Sequence, residues 1–234
     1  MAVLIPRAKP TEPSEPVQPL ENGDRLTRAE FERRYEAMPD LKKAELIEGE
    51  VYVASPVRHR RHSKPHSQIH GWLSVYVAGS PGVEAGDNGS IRLDLDNEPQ
   101  PDAYLMIEQE RGGQARISDD DYVEGAPELV AEITSSSVSY DLGKKLNAYR
   151  RNGVCEYIVW RVLDREIDWF VLHDGRYEPL PPTSDGLLRS KVFPGLWLDP
   201  AALISGDLAR VLAVVQEGVT SHEHADFAAR LRGN

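Results

Sequence analysis

Hydrophobic residues recur along this chain with two spacings, one typical of helices and one typical of strands. Phe31, Tyr35 and Met38 repeat every three or four residues, which is the spacing of an amphipathic helix. Thr27 and Glu30, just ahead of this stripe, have the spacing of a capping box, in which each side chain bonds a free backbone N–H of the other residue. The pattern therefore predicts a first helix that begins at Thr27.

The same two periods assign the rest of the chain to further helices and strands. Predicted helices follow at 65–76, 141–152 and 208–215. Predicted strands, the first of which is a strand or a hairpin, are 45–54, 91–96, 102–107, 128–134, 155–163, 167–172 and 191–198. Elements in this order predict the α/β (α+β) class, with a mixed β-sheet flanked by helices.

The distribution of proline divides the chain into segments. The first 24 residues contain five prolines among polar and charged neighbours, so they bury too little apolar surface to offset their ordering entropy. We predict a flexible Pro-rich tail over 1–24, one folded domain over 25–205, and a C-terminal helix and tail over 206–234.

Composition and charge exclude several classes of protein. Lys and Arg total 27 against 38 Asp and Glu, a net charge of -11, which disfavours a protein that coats nucleic acid by cationic charge alone. The single cysteine, Cys155, excludes an internal disulfide and a cysteine-built metal knuckle. Without a bilayer-length apolar run or a signal peptide, we predict a soluble cytoplasmic protein with no membrane partner.

Two carboxylates fall on predicted strands that are otherwise largely apolar. Asp102 begins the strand 102–107, and Glu132 lies in the middle of the strand 128–134. A carboxylate at such a position is costly to bury unless it is paired or binds a cation. Two of them on neighbouring strands could hold a hard divalent ion, which prefers oxygen ligands. The alternative is that each only caps a strand end or meets an arginine.

The adjacent lysines Lys144 and Lys145 face different directions on the predicted helix 141–152. On a helical wheel Lys145 lies about 40° from Tyr149 of the buried stripe, whereas Lys144 points to solvent. Asp141 lies one turn before Lys145 on the same side. The pattern indicates either an amine turned toward the sheet or an Asp–Lys surface pair with a buried aliphatic stem.

The stretch VRHRRHSK, ahead of the helix that begins at Pro65, concentrates positive charge. It either contacts a phosphate backbone or forms a solvated loop. Its cations are Arg58, Arg60, Arg61 and Lys64. His66 and His70 follow four residues apart, a spacing that suits either metal chelation or a cap with a partly buried imidazole.

Four stretches of this sequence resemble a known family. They are PDAYLM, ELIEGEVY, KVFPGLWLD and the long run APELVAEITSSSVSYDLGKKLNAYRRNGVCEYIVW. Together they are similar to the Uma-two family of restriction-type endonucleases, within the PD-(D/E)xK nuclease superfamily. The resemblance extends over about residues 26–203 and implies a restriction-endonuclease-like fold for the domain 25–205.

The resemblance also implies roles for individual residues. Asp102 and Glu132 match the metal-binding acids, and the carbonyl oxygen of Ile133 is an expected further ligand. The superfamily's usual lysine, two residues after the second acid, is replaced here by Thr134, and Lys145 matches the lysine that this family draws from the following helix. The expected site-lining residues are Glu45 and His66, which match family positions, and Asp141.

The implied function is that of a divalent-metal-dependent endonuclease that hydrolyses DNA phosphodiester bonds with Mg²⁺ or Mn²⁺. Two alternatives remain open at this point: a non-catalytic nucleic-acid or protein interaction module on the same fold, and a metal phosphoesterase for small nucleotides. Because cutting both strands of a duplex needs two sites, the implied partners are DNA and a second copy of the chain in a homodimer.

Overall fold

The computed structural model describes residues 17–54, 56–135 and 137–233. Its strands are β1 (Ala44–Ile47), β2 (Glu50–Val53), β3 (Val83–Gly86), β4 (Ile91–Arg92), β5 (Ala103–Ile107), β6 (Arg116–Ile117), β7 (Val123–Glu124), β8 (Leu129–Thr134), β9 (Glu156–Arg161), β10 (Glu166–His173), β11 (Arg176–Pro179), β12 (Leu188–Arg189) and β13 (Trp197–Leu198). Its α-helices are α1 (Arg28–Glu36), α2 (Lys64–Gly79), α3 (Val138–Tyr140), α4 (Leu146–Asn152), α5 (Pro200–Ser205), α6 (Leu208–Val219) and α7 (His222–Leu231). Other helical turns are the π-helical His59–Ser63 and Asp141–Lys145 and the 3-10 turn Gln109–Arg111.

Six strands form the central sheet in the order β11-β10-β9-β8-β5-β3. β8 and β9 run parallel, and the other neighbouring pairs are antiparallel. A parallel pair requires a crossover connection, which is the helical segment 138–152 composed of α3, a π-helical turn and α4. The predicted mixed sheet with flanking helices is therefore confirmed.

Strand β8 is buried on both faces: all six of its residues are buried, and successive residues point to opposite sides of the sheet. Leu129 and Ala131 pack in a core with residues of α2 and α6. Val130 packs on the opposite side, in a second core with Tyr149 of α4. Glu132 shares the Val130 face, so it lies under the crossover helix rather than at the surface.

The first helix forms as predicted, but it is not capped as predicted. Thr27 occupies the N-cap position of α1 without a side-chain capping bond. The carboxylate of Glu30 instead pairs with Arg33 and Arg34 one turn later. The capping-box assignment is wrong because two charged partners at helical spacing compete for the same carboxylate.

The boundary predicted for the N-terminal tail lies too far along the chain. Leu20 is buried in a small core with Phe31 of α1, and the Gly23 N–H donates to the Val51 carbonyl of β2 at 2.8 Å. Residues 17–24 thus pack along the β1–β2 hairpin. Residues 1–16 of the predicted tail lie outside the described residues.

The predicted boundary at residue 205 also differs from the structure. Val211 and Val215 of α6, together with Phe227 and Leu231 of α7, are buried in the same core as α2. The apolar stripes of α6 and α7 must be buried against another element, and α2 provides the apolar surface on which they pack. Residues 206–231 therefore belong to the main domain.

Two predicted strands are much shorter than their patterns indicated. The alternation at 91–96 yields only β4, because the chain turns after Arg92 and leaves Leu95 75% exposed. The region 191–198 contributes only β13. Within the described residues no helix is long and apolar enough to span a bilayer.

Candidate active site

Asp102 and Glu132 are brought together by the pairing of β5 with β8. Ala103 of β5 pairs with Ala131 of β8 in an antiparallel register. Continuing that register by one residue sets Asp102 opposite Glu132. Side chains of opposed residues share one face with Cβ atoms about 5 Å apart. Both carboxylates are buried, with 3% and 4% exposure.

The Asp102 carboxylate is held at both oxygens. Its Oδ2 accepts the backbone N–H of Ile133 at 2.8 Å. Its Oδ1 lies 3.2 Å from His62 Nε2 and 3.4 Å from Lys43 Nζ. Burial opposes ionisation, but the hydrogen bond from His62 and the charge of Lys43 outweigh it and hold the pKa of Asp102 well below its usual range. Asp102 is therefore a carboxylate at neutral pH.

Lys145 bridges two buried carboxylates. Its ammonium lies 2.8 Å from Glu132 Oε1 and 2.8 Å from Glu45 Oε1, and Tyr149 donates a further hydrogen bond to Glu132 Oε1 at 2.9 Å. Glu45, on β1, also accepts the backbone N–H of Gln100 at 2.8 Å. The β1–β2 hairpin thus contributes directly to the cluster.

The charges in this cluster do not balance. Burial raises the pKa of Glu132 to about 8, and the carboxylates of Asp102, Glu45 and Asp141 add to the effect of burial against the opposing charge of Lys145. Burial disfavours the Lys145 ammonium, but the surrounding carboxylates outweigh it and raise the pKa of Lys145 well above its usual value. If Asp102, Glu132, Glu45 and Asp141 were all ionised, the ammonium groups of Lys145 and Lys43 would leave a surplus of negative charge, and the raised pKa of Glu132 keeps a proton there instead.

That surplus fits a divalent cation. Asp102 and Glu132 offer the hard oxygen donors that Mg²⁺ and Mn²⁺ prefer, on adjacent strands and with little exposure. A cation there would stabilise the ionised form of Glu132, which burial otherwise disfavours. These two side chains are therefore the residues that could hold the ion.

The two adjacent lysines take the orientations that the helical wheel predicted. Lys145 is 3% exposed and points into the site. Lys144 is exposed and pairs with Glu50 of β2 at 2.8 Å. Both lie in the π-helical turn Asp141–Lys145. This turn packs on the same face of the sheet as Glu132, so the Lys145 ammonium reaches the Glu132 carboxylate.

The remaining site-lining candidates lie beside this cluster. Asp141 is buried, and its Oδ2 accepts a hydrogen bond from Ser137 at 2.7 Å. Burial raises the pKa of Asp141, with Lys145 opposing that effect. Thr134, at the superfamily's lysine position, is buried and bonds Ser137. The role of the Ile133 carbonyl as a ligand stays a prediction, since its amide is the group that contacts Asp102.

His66 is close to Asp102 but belongs to a separate group. His66 and His70 of α2 lie with Asp87, in the turn after β3, so that one ligand atom from each falls within 4.8 Å of the others. His70 Nε2 also lies 2.9 Å from the backbone oxygen of Asp102. The sequence pattern of this turn assigned no role to Asp87.

The basic stretch forms a helical turn beside the carboxylates. Residues 59–63 are π-helical and continue into α2, so the solvated loop, one of the two alternatives for this segment, does not form. Its predicted phosphate-binding residues are all exposed, and none makes an ion pair with another described residue: Arg58, Arg60, Arg61 and Lys64. His62 of the same turn contacts Asp102, which places this positive surface next to the site.

Some members of the site were missed from sequence alone. Tyr149 was assigned only to the buried stripe, although it lies four residues after Lys145, the spacing at which two helical side chains meet on one partner. Lys43 precedes Glu45 by two residues, so strand alternation would have placed it on the same side. The contact of His62 with Asp102 depends on the π-helical turn and has no comparable local signal.

Comparison with known proteins agrees with this architecture. The profile of the Uma2 family, described as putative restriction endonuclease, matches residues 28–201. A similar solved structure is a putative nuclease belonging to DUF820 from Anabaena variabilis. It is 15% identical, with a TM-score of 0.52 over 74% of this chain and 97% of that one, which shows a shared fold. A search of curated proteins gave no match.

Proposed function

Because this chain belongs to the Uma2 family of putative restriction endonucleases, we propose that it is a divalent-metal-dependent endonuclease that hydrolyses DNA phosphodiester bonds. Family and fold support a nuclease-type hydrolase in general. The finer proposal of metal-dependent DNA cleavage is supported most by one observation: Asp102, Glu132 and Lys145 converge where β5 meets β8.

The two acids would hold the ion. Asp102 Oδ1 and the Glu132 carboxylate are the donors, and the chemistry that Mg²⁺ or Mn²⁺ supplies is Lewis acidity toward phosphoryl oxygens and water. The Ile133 N–H fixes Asp102 by its other oxygen, and Tyr149 fixes Glu132. Both acids are therefore preorganised by groups that do not need to move.

Lys145 would act as a fixed positive charge. Its raised pKa keeps it protonated at neutral pH, so it is a poor acceptor of a proton from water. A protonated amine next to Glu132 can orient the attacking water or neutralise the charge that develops on the phosphoryl group. The raised pKa therefore supports an electrostatic role for Lys145 more than general-base catalysis.

The exposed basic turn would bind the DNA backbone. Arg58, Arg60 and Arg61 project from a turn whose His62 touches Asp102. Phosphate contacts of this kind position a duplex without reading its sequence. They would offset, near the site, the repulsion that a net charge of -11 exerts on DNA.

The test is cleavage of supercoiled plasmid with Mg²⁺ by wild-type protein and by Asp102→Asn and Glu132→Gln. Each substitution should lower the rate by more than about a hundredfold, since loss of a supporting residue alone often costs 10–100-fold. Asp226→Asn, an exposed acid on α7, is the matched control and should cleave normally. Wild-type rates in both site variants, with circular dichroism unchanged, would refute the proposal.

A non-catalytic interaction module is the second candidate, and one observation favours it. Asp102, Glu132 and Lys145 are at most 4% exposed, and each already has a charged or hydrogen-bonded partner inside the protein. Such a module would bind DNA equally well with chelator and with Mg²⁺, and it would leave every DNA and RNA substrate intact. Cleavage that stops on addition of chelator would exclude it.

A further inference from the structure

Three potential ligand atoms meet between α2 and the turn that follows β3. Asp87 Oδ1 lies 3.2 Å from His66 Nε2 and 3.7 Å from His70 Nε2. The three atoms all lie within 4.8 Å of one another. His66 and His70 occupy positions four residues apart on α2, so their rings project from one face of a regular helix.

The two separations from Asp87 match the geometry of a transition-metal site. In a tetrahedral Zn²⁺ site with bonds of about 2.0–2.1 Å, neighbouring ligand atoms are about 3.3–3.4 Å apart. The two separations from Asp87 lie on either side of that value. Two imidazoles and one carboxylate also form a ligand set that such ions accept in proteins.

The residues around the cluster hold it in place. Gly86 lies against Tyr104 so closely that a Cβ on it would fall 1.9 Å from Tyr104 Cζ, so the start of the turn packs directly on the ring. Asn88, next to Asp87, accepts a hydrogen bond from Lys43 at 3.0 Å. The turn is therefore tied both to β5 and to the residue just before β1.

A fourth donor lies within reach. The backbone oxygen of Asp102 is 2.9 Å from His70 Nε2, to which it is hydrogen-bonded. An ion on Nε2 would replace that hydrogen and leave the oxygen facing the metal. The cluster thus contacts the peptide group of Asp102, whereas the proposed Mg²⁺ site uses its carboxylate.

We propose that His66, His70 and Asp87 bind one transition-metal ion of the Zn²⁺ class, at a site distinct from the carboxylates that would hold Mg²⁺. The site fastens the turn after β3 to α2 beside Asp102. It does not depend on the proposed nuclease activity, because the ligand atoms and their separations are independent of any nucleic acid.

Titration of the full-length, metal-stripped protein with Co²⁺ tests this site, since Co²⁺ replaces Zn²⁺ and reports nitrogen and oxygen ligation by its visible absorption. With excess Mg²⁺ present to occupy the carboxylates of Asp102 and Glu132, we expect one equivalent of Co²⁺ to bind and Zn²⁺ to displace it. His66→Ala, His70→Ala and Asp87→Asn should each weaken binding by more than about tenfold, because even substitutions of groups that only support a metal ligand cost 10–100-fold.

Two further variants serve as controls for Co²⁺ binding. His173→Ala removes an exposed histidine near Asp174 and Glu178, toward the opposite edge of the sheet, and should leave Co²⁺ binding unchanged. Glu132→Gln should also leave it unchanged, even though it removes a proposed Mg²⁺ ligand. The proposal fails if Co²⁺ does not bind saturably, or if folded His66, His70 and Asp87 variants bind it as the wild type does. It also fails if Glu132→Gln alone abolishes binding.

Discussion

Lys144 and Lys145 are neighbours in sequence, yet they occupy opposite environments. Lys145 bonds Glu132 and Glu45 inside the protein, and Lys144 pairs with Glu50 at the surface. The difference arises because consecutive residues of the helical turn Asp141–Lys145 point in different directions, and only Lys145 faces the sheet. Only the inner lysine can influence chemistry at the carboxylates.

These two lysines give a matched pair for a catalytic test. Lys145→Ala should reduce Mg²⁺-dependent plasmid cleavage by about a hundredfold or more, the usual cost of removing one preorganised electrostatic group. Lys144→Ala should cleave within about twofold of wild type, because exposed ion pairs contribute little. Equal cleavage rates in the two folded variants would show that Lys145 has no catalytic role.

Glu98 is a further buried acid, outside the carboxylate cluster, whose pKa is shifted by its surroundings. Burial raises its pKa from 4.5 to about 8, with a hydrogen bond to Glu32 adding to the shift. The native state therefore keeps a proton that the unfolded chain releases above about pH 4.5. The free energy of unfolding should fall as the pH rises from about 4.5 to about 8, by up to about 1.4 kcal/mol per pH unit for one proton.

The glutamine of Glu98→Gln does not ionise, so this position of the variant releases no proton when the protein unfolds. Over the same pH range the variant should lose less stability than the wild type, measured by urea unfolding at several pH values. Glu84→Gln, at an exposed position on β3, should keep the wild-type dependence. Parallel pH profiles for Glu98→Gln and the wild type would show that Glu98 is ionised in the folded protein.

Elements with long, regular patterns were predictable from sequence, and short irregular ones were not. β8 and the segment 138–152 follow from a buried run and an apolar stripe that ends at Gly153. The turn after β4 was missed because Leu95 keeps the alternation of a strand while the backbone turns away. The π-helical turn 59–63 was missed because its basic, polar sequence has no apolar stripe that would predict a helix, and its contact with Asp102 through His62 has no local signal.

The proposed carboxylates and lysine were likewise accessible from spacing and family resemblance, whereas their partners were not. Asp102, Glu132 and Lys145 each stand at a position where a charge interrupts an apolar pattern. Lys43 had only its spacing from Glu45 as a signal, and His62 and Asp87 lie in polar surroundings where nothing local distinguishes them. Their proximity depends on how α2 and the β1–β2 hairpin pack around the end of β5.

The contribution of the basic turn to DNA binding can be tested by substitution. Replacing Arg58, Arg60 and Arg61 with alanine should weaken DNA binding and reduce the slope of log K against log salt by about 1 for each phosphate that is no longer neutralised. Fluorescence anisotropy with chelator present measures both quantities. Arg176→Ala, on β11 at the opposite edge of the sheet, should change neither. An unchanged salt slope in the triple variant would assign the turn no part in DNA binding.

The whole molecule depends on its C-terminal helices for one side of the core. Phe227 of α7 is 4% exposed and meets Phe193 edge to face at 6.3 Å between ring centroids. Phe227→Ala should therefore lower the free energy of unfolding by about 3–5 kcal/mol. Leu163→Ala, at a position 54% exposed, should change it by less than about 0.5 kcal/mol.

Chemical denaturation of the two variants checks this prediction. A small effect of Phe227→Ala, comparable to that of Leu163→Ala, would mean that α7 contributes little to the fold. We predicted a domain boundary at residue 205 because the sequence of a terminal amphipathic helix does not indicate which element it packs against. That information resides in α2, more than a hundred residues earlier.

At the largest scale, the proposed function depends on where a divalent ion binds within the assembled fold. The most direct measurement is a crystal structure with Mn²⁺, in which anomalous scattering locates the ion. We predict an ion ligated by the carboxylates of Asp102 and Glu132 on adjacent strands, with the Lys145 ammonium beside Glu132. A structure in which saturating Mn²⁺ leaves those two carboxylates without an ion would contradict the proposed metal-dependent mechanism.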